Sequence, residues 1–298
     1  MYKIKPKPII DRDAFPDFET HGILRNLFDF FFLPILNNFP TKSNSFIKKT
    51  NDSAKEVIEY KTTHKALELL YQKGNIDGSN SLIQKIFRGV WFNTANSKAV
   101  RNRLKIVKRS LFNVAEDIYV KNGKIKILSI ASGSARAVVE SVSDLRLKNS
   151  SDMEIYFLDK NPMALEYSRE LVISNGIDKR MCHWIEGTAG SYLKEAVKNG
   201  EKFDLIEMVG LLDYFDNQKT LELFKLIFTV LSKSGVLVTA NINHNKEIKF
   251  ITKVIGWPMY YKTPDELSGL LVLAGFKDEK LIAYTEPFEI HTVVVAKK

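Results

Sequence analysis

The chain has 298 residues, 45% of them hydrophobic and 27% charged, and a formal net charge of +9. These values belong to a globular protein of one large or two modest domains and exclude a disordered or fibrous chain. The single cysteine, Cys182, excludes an internal disulfide and a cysteine-rich metal site. The longest apolar run near the N-terminus, LFDFFFLPIL at residues 27–36, is interrupted by Asp29 and Pro34 and falls short of the ~20 residues that span a bilayer. Residues 1–10 alternate lysine with proline and offer no apolar core for a secretory signal, so a cytoplasmic location is expected.

The positive excess lies entirely before residue 124, and the remainder of the chain is balanced. Between Gly78 and Ala115 there is no acid, whereas Lys85, Arg88, Lys98, Arg101, Arg103, Lys105, Lys108 and Arg109 are all basic. Such a segment favours an anionic partner, leaving open whether that is a phosphate, a carboxylate or a lipid surface at the membrane periphery.

In chain order, the first part reads as helical. Ser53 with Glu56 forms a capping-box pattern ahead of VIEYKTTHKALELLYQKG, which stops at Gly74. Val100, Leu104, Val107, Leu111, Ala115 and Ile118 recur every three or four residues, one face of a long amphipathic helix. From Lys124 the pattern changes to alternation: KIKILSIA strand, SARAVVESVSDL helix, EIYFLD strand, PMALEYSRELVISN helix, CHWIEG strand, SYLKEAVKN helix, FDLIEMVG strand, QKTLELFKLIFTVL helix and GVLVTANIN strand. A helix begun by TPDEL and ended at Ala274 and Gly275 precedes LIAYTE and HTVVVAKK, which are too close in sequence for a parallel crossover and are expected to form an antiparallel hairpin. The fold class is therefore α/β, a doubly wound and mostly parallel sheet with a helical N-terminal extension or lid at residues 1–94 and a Rossmann-like domain at 95–298.

Three features fall at successive strand ends, where such sheets bind ligands. The turn from Ala131 through Ser132, Gly133 and Ser134 to Ala135 has no bulky side chain and leads into a helix N-terminus. Asp159 ends the next strand, 26 residues after Gly133, where an acid can accept hydrogen bonds from both ribose hydroxyls. Thr188 and Ala189 in EGTAG are placed to flank an adenine. A dinucleotide fingerprint would need a third glycine where Arg136 stands.

The order ILSIASGSA, FLDKNP, EGTA, FDLIEMVGLLDYF, LSKSGVLVTANIN and a strand hairpin resembles the class I S-adenosylmethionine-dependent methyltransferases, over roughly residues 95–298. The resemblance implies a seven-stranded sheet with one reversed strand and S-adenosylmethionine as cofactor. On the carry-over, Ala131, Ser132, Gly133 and Ala135 lie under its methionine part. Asp159, with Lys160 and Asn161 beside it, holds the ribose, and Gly187, Thr188 and Ala189 meet the adenine. Met208 and Gly210 form the floor between cofactor and substrate. The chain departs from the family at Ser129, where an acid is usual, and at Ala131 and Ala135, where glycines are. NSKAVRNRL, SIASGSAR, GLLDYF and WPMYYKTPDEL are also similar to a bacterial subgroup that includes enzymes methylating the carboxyl group of a 3-hydroxy fatty acid. Under that resemblance Arg101 and Arg103 are partners for a carboxylate, Arg103 on the cofactor and Arg101 on the substrate, with Asn241 also at the substrate.

The expected activity is methyl transfer to a small, anionic molecule. An ionised carboxylate needs no base, whereas an amine or hydroxyl would, and His244, Asp213 and Tyr214 are the candidates. Phe28, Phe30, Phe31 and Phe32 would line an acyl pocket or pack as helix core. Two rival readings are a nucleic-acid methyltransferase, drawing on the basic segment, and a non-catalytic binder of adenosyl ligands. Against the first, the chain has no aromatics interleaved with that segment as stacking platforms.

Overall fold

Alternating strands and helices from Ile125 onward wind a parallel sheet covered on both faces. The computed structural model describes residues 8–10, 17–23, 26, 31, 34, 37–38, 64–72, 92–145 and 152–298. Helix α1 spans His64–Tyr71 and α2 spans Ala95–Asn122. The alternation then runs β2 (Ile125–Ile130), α3 (Arg136–Asp144), β3 (Met153–Asp159), α4 (Pro162–Ser174), β4 (Cys182–Glu186), α5 (Ala189–Lys198), β5 (Phe203–Val209), α6 (Asn217–Val230) and β6 (Leu231–Ile242). Helix α7 (Pro264–Leu273) precedes β7 (Leu281–Thr285) and β8 (His291–Lys297). The expected boundary at Ser53 and Glu56, and Gly74, lie outside the described residues.

Strand β1 (Pro8–Ile10) sits where a helical extension was expected. It pairs in parallel with Ala283–Thr285 of β7, making an eighth strand in the order β1-β7-β8-β6-β5-β2-β3-β4. The edge of β7 offers unpaired backbone groups, and a short extended segment covers them; three residues are too few to give a periodic signal. Strand β8 is antiparallel to both β6 and β7, so the hairpin forms as expected and β8 is inserted between its neighbours.

Because both faces of the sheet are covered, the strands are apolar on both. Ile125, Ile127, Ile155, Phe157 and Leu205 pack against Ile106, Val107 and Leu111 of α2 and Val138, Val139 and Val142 of α3. Leu128, Ile130, Leu158, Ile206 and Leu237 face Leu193 of α5, Phe224 and Ile227 of α6 and Leu271 of α7. Long helix α2 is tied at both ends. Gly123 closes it in the left-handed region at φ 69°. At its start the Glu247 carboxylate accepts from the Ala95 and Asn96 N–H groups, where the helix dipole favours an anion.

Candidate active site

The turn after β2 reverses direction within five residues by placing Ala131, Gly133 and Ala135 in the left-handed region, at φ 52°, 55° and 55°. Hydrogen bonds over-determine it: Ser132 N–H donates to the Leu158 carbonyl (2.9 Å), Ala135 N–H to the Ser132 carbonyl (2.7 Å), and Gly133 N–H to Asp159 Oδ2 (2.8 Å). A left-handed alanine costs on the order of 1 kcal/mol more than a glycine, partly offset by the greater freedom glycine has when unfolded. Ala131→Gly and Ala135→Gly are therefore expected each to raise stability, by about 1 kcal/mol or less. Chemical denaturation checks this, and a loss of stability in both variants would show that the turn is not strained there.

Asp159 anchors the next strand end, its second oxygen accepting from Asn161 N–H (2.9 Å). Asn161 caps α4 through its side chain and Thr188 caps α5. Both line a cavity of about 1230 Å³ along the carboxyl ends of β2, β3, β4 and β5, as do Ala131, Gly133, Asp159, Lys160, Gly187, Ala189 and Gly210. Gly210, at φ 85°, has open space where a Cβ would stand. Helix α1 closes this end: His64, Leu67 and Leu70 line the cavity, and a Cβ added to Gly133 would lie 3.6 Å from His64 Cβ. Small residues, open backbone and an acid between two loops fit a nucleoside with a ribose diol.

The volume exceeds the roughly 300–1,000 Å³ of a single-ligand pocket, and the lining extends beyond the strand-end turns to a compartment-sized apolar wall. That wall includes Val100, Ile242, Phe250, Ile251, Ile255 and Met259, three of them on the short π-helical turn Phe250–Ile255. Its polar end holds Arg103, Asp213, Tyr214 and His291. Asp213 Oδ1 accepts from Ile242 N–H (3.2 Å), and its other oxygen lies 3.9 Å from Arg103. Burial raises the Asp213 carboxyl above its ordinary range. Tyr214 accepts from Trp257 Nε1 (3.0 Å), and burial pushes its hydroxyl up to about 12. His291 is 2% exposed with neither ring nitrogen bonded among the described residues. Burial, and after it the Arg103 cation, holds its imidazole well below the ordinary value and therefore neutral.

Residues 61–298 match a family described as "Putative methyltransferase". The chain belongs to this methyltransferase family. Among solved structures it is similar to a protein of Bordetella parapertussis described as a possible exported protein, with 17% identity over 79% of each chain and a TM-score of 0.61. An O-methyltransferase-like protein of Nostoc punctiforme is 19% identical over 83% of this chain and 71% of that one, with a TM-score of 0.50. Magnesium protoporphyrin IX methyltransferase of Synechocystis, solved with bound S-adenosylhomocysteine, is 12% identical over 81% of this chain and 99% of that one, also at 0.50. These identities establish a shared fold. No curated protein sequence gives a significant match.

Several of the expected site residues do not line the large cavity. Arg101 is not on the cavity wall: Glu19 grips its guanidinium at 2.7 and 2.8 Å, and the Leu70 and Phe92 carbonyls take the rest. His244 is exposed beside Tyr261, outside the lining. Asn241 is fully buried, its amide nitrogen donating to the Ile242 and Lys262 carbonyls. Met208 points into the core under α6 and does not floor the cavity; Val209, Gly210 and Leu211 do. Ser132 and Ala135 line a smaller recess behind the turn. The basic segment is likewise depleted as a nucleic-acid surface, since Arg101 and Arg103 are 5% and 3% exposed and cannot reach phosphates. Phe31 is exposed at 64%, and Phe28, Phe30 and Phe32 lie outside the described residues.

Other participants escaped the sequence reading. Lys262, 2% exposed, donates to the Leu212 and Phe215 carbonyls and so fixes the turn carrying Asp213 and Tyr214. Glu207 stands inside β5 with Ser129 Oγ donating to it at 2.6 Å. The signal for Glu207 was present, a charge set among Leu205, Ile206, Met208 and Val209 within FDLIEMV; Lys262 gave none, because its partners are backbone carbonyls. Among the described residues no group of His, Cys, Asp and Glu could hold a metal ion, and no helix is long and apolar enough to cross a membrane.

Proposed function

We propose that this protein transfers a methyl group from S-adenosylmethionine to the carboxylate of a small molecule with an apolar, acyl-like body. The observation that carries the reading is a single cavity whose lining runs from Asp159 and Thr188 to apolar residues of the Phe250–Ile255 turn and to the buried Arg103, a cation suited to a carboxylate. Bound S-adenosylmethionine supplies a methyl group on a sulfonium, already electrophilic. Asp159 accepts the ribose hydroxyls, and Thr188 and Ala189 flank the adenine. Tyr214 keeps its proton near neutrality, and with its oxygen held by Trp257 the hydroxyl can donate to an acceptor carboxylate. His291, held neutral, orients the acceptor without taking its proton. Asp213 and Tyr214 thus position the acceptor, which suits a group that arrives ionised.

Helix α1 acts as a lid in this reading, supported by the place of His64, Leu67 and Leu70 on the cavity wall. Excluding water and fixing the reactants supplies ~7–11 kcal/mol of the barrier in well-oriented reactions. A cytoplasmic site of action fits, since the donor is made there. Incubating the purified protein with methyl-labelled S-adenosylmethionine and decanoic or 3-hydroxydecanoic acid is expected to give label that alkali releases as methanol, the mark of an ester. Label found only in alkali-stable product would overturn the carboxylate assignment.

A further inference from the structure

We infer that the segment between β6 and α7 is a fixed gauge for the apolar tail of the acceptor, with Phe250 and Ile255 setting the longest tail that fits. That the acceptor is a carboxylate with such a tail rests on the proposed function; the gauge rests on the structure. One stretch, residues 250–259, supplies Phe250, Ile251, Ile255, Trp257 and Met259 to the cavity wall. It begins with the π-helical turn Phe250–Ile255, which ends at Gly256 with φ 70°. Such turns are rare and occur mostly at functional sites. This one is closed by Trp257 N–H donating to the Ile251 carbonyl at 3.0 Å.

The wall has two kinds of residue. Phe250, Ile242 and Ile255 are 6%, 3% and 1% exposed, so they form the closed side of the space they line. Ile251, Trp257 and Met259 are half-buried and border its open part. Truncating a residue of the first kind adds room at the end of a tail; truncating one of the second removes contact along it.

Fastening makes this wall a gauge instead of an adaptable surface. Ahead of the turn, the Glu247 carboxylate accepts from the Ala95 and Asn96 N–H groups of α2 and from the Asn96 amide at 2.6 Å. Asn37 Oδ1 accepts from the Phe250 N–H at 3.0 Å, and its Nδ2 donates to the Lys246 carbonyl. Past the turn, Trp257 Nε1 donates to the Tyr214 oxygen, Tyr260 N–H to the Asp213 carbonyl (2.8 Å) and Lys262 N–H to the Ile242 carbonyl (3.1 Å). A wall held on both sides keeps its shape when a ligand arrives. A tail that fits gains about fourfold in affinity for each methylene it buries. One methylene too many has to displace a fastened side chain, and such a misfit costs about tenfold or more. Affinity should therefore fall past one chain length, whereas a tail that ran out into solvent would only level off.

Calorimetry of saturated linear carboxylic acids, from hexanoic to tetradecanoic, on the protein loaded with S-adenosylhomocysteine reads the gauge. Wild-type affinity should climb with length and then break. The first acid past that break should bind about tenfold more tightly to Phe250→Ala than to the wild type. Ile255→Val, a smaller deletion, should move the break the same way, and it remains informative if Phe250→Ala does not fold. Met259→Ala should weaken all lengths alike and leave the break in place. Affinity that levels off without a break, a break unmoved in folded Phe250→Ala or Ile255→Val, or one moved as far by Met259→Ala would overturn the gauge and leave the carboxylate reading intact. Failure of every acid to bind the wild type would overturn both.

Discussion

Asp159→Ala is expected to weaken S-adenosylhomocysteine binding by at least tenfold. The carboxylate holds two loops at once, through the Gly133 N–H at 2.8 Å and the Asn161 N–H at 2.9 Å, and it lines the cavity where a ribose would lie. A hydrogen bond to a charged group contributes about 1.5–3 kcal/mol, and tenfold in affinity is about 1.4 kcal/mol. Loss of one such bond to the ligand already reaches the stated effect; release of Gly133 from its left-handed conformation adds to it. Asp159→Asn should fall between, since an amide keeps one acceptor oxygen and loses the charge. Calorimetry on variants with unchanged circular dichroism measures both, and wild-type affinity in Asp159→Ala would remove this residue from the site.

Arg136→Ala should release α1 from the cavity and speed ligand dissociation at least tenfold. Arg136 bonds Glu68 through Nε at 3.0 and 3.1 Å and through a second nitrogen at 2.5 Å, while Tyr167 donates to the same carboxylate at 2.9 Å. Burial pushes the Glu68 carboxyl up, but hydrogen bonds from Arg136, Ser134 and Tyr167 outweigh it and hold it below its ordinary 4.5. Removing one partner of a buried pair leaves the other charge uncompensated, at a cost of about 3–5 kcal/mol, reduced here because Tyr167 remains. A carboxyl held low contributes stability above 4.5 and loses it as pH falls through its folded value, so the latch should weaken in acid. Hydrogen exchange across α1 and stopped-flow displacement of bound S-adenosylhomocysteine report the two effects. Unaltered exchange in α1 would show that packing of Leu67 and Leu70 alone holds it.

The strands and helices after Lys124 were legible because period-2 and period-3.6 patterns alternate there with clear stops, as at Gly123 and Pro162. The convergence of Gly133, Asp159 and Thr188 on one cavity was legible for a related reason: they lie at strand ends, and strand ends converge whatever the side chains do. The part of the cavity lined by Arg103, Asp213 and His291 was not. Arg101 and Arg103 look equivalent in AVRNRLK, yet two positions on a helix differ by about 200°, so one meets Glu19 and the other the cavity. His291 and Trp257 reach that compartment from distant parts of the chain, and only the insertion of β8 beside β6 brings His291 opposite Ile242.

That insertion also orders how the molecule can be assembled. β8 is last in chain order but interior in the sheet, and β7 and β1 join the rest only through it. As the chain emerges during synthesis, β2 to β6 can pair with one another, and the cradle around Asp159 can take shape, before β8 exists. The cavity wall that includes His291 cannot. Until His291–Lys297 is made, the inner edge of β6 has no partner and its apolar residues stand open to other chains, so helpers that shield unfinished sheets should find their target in this interval.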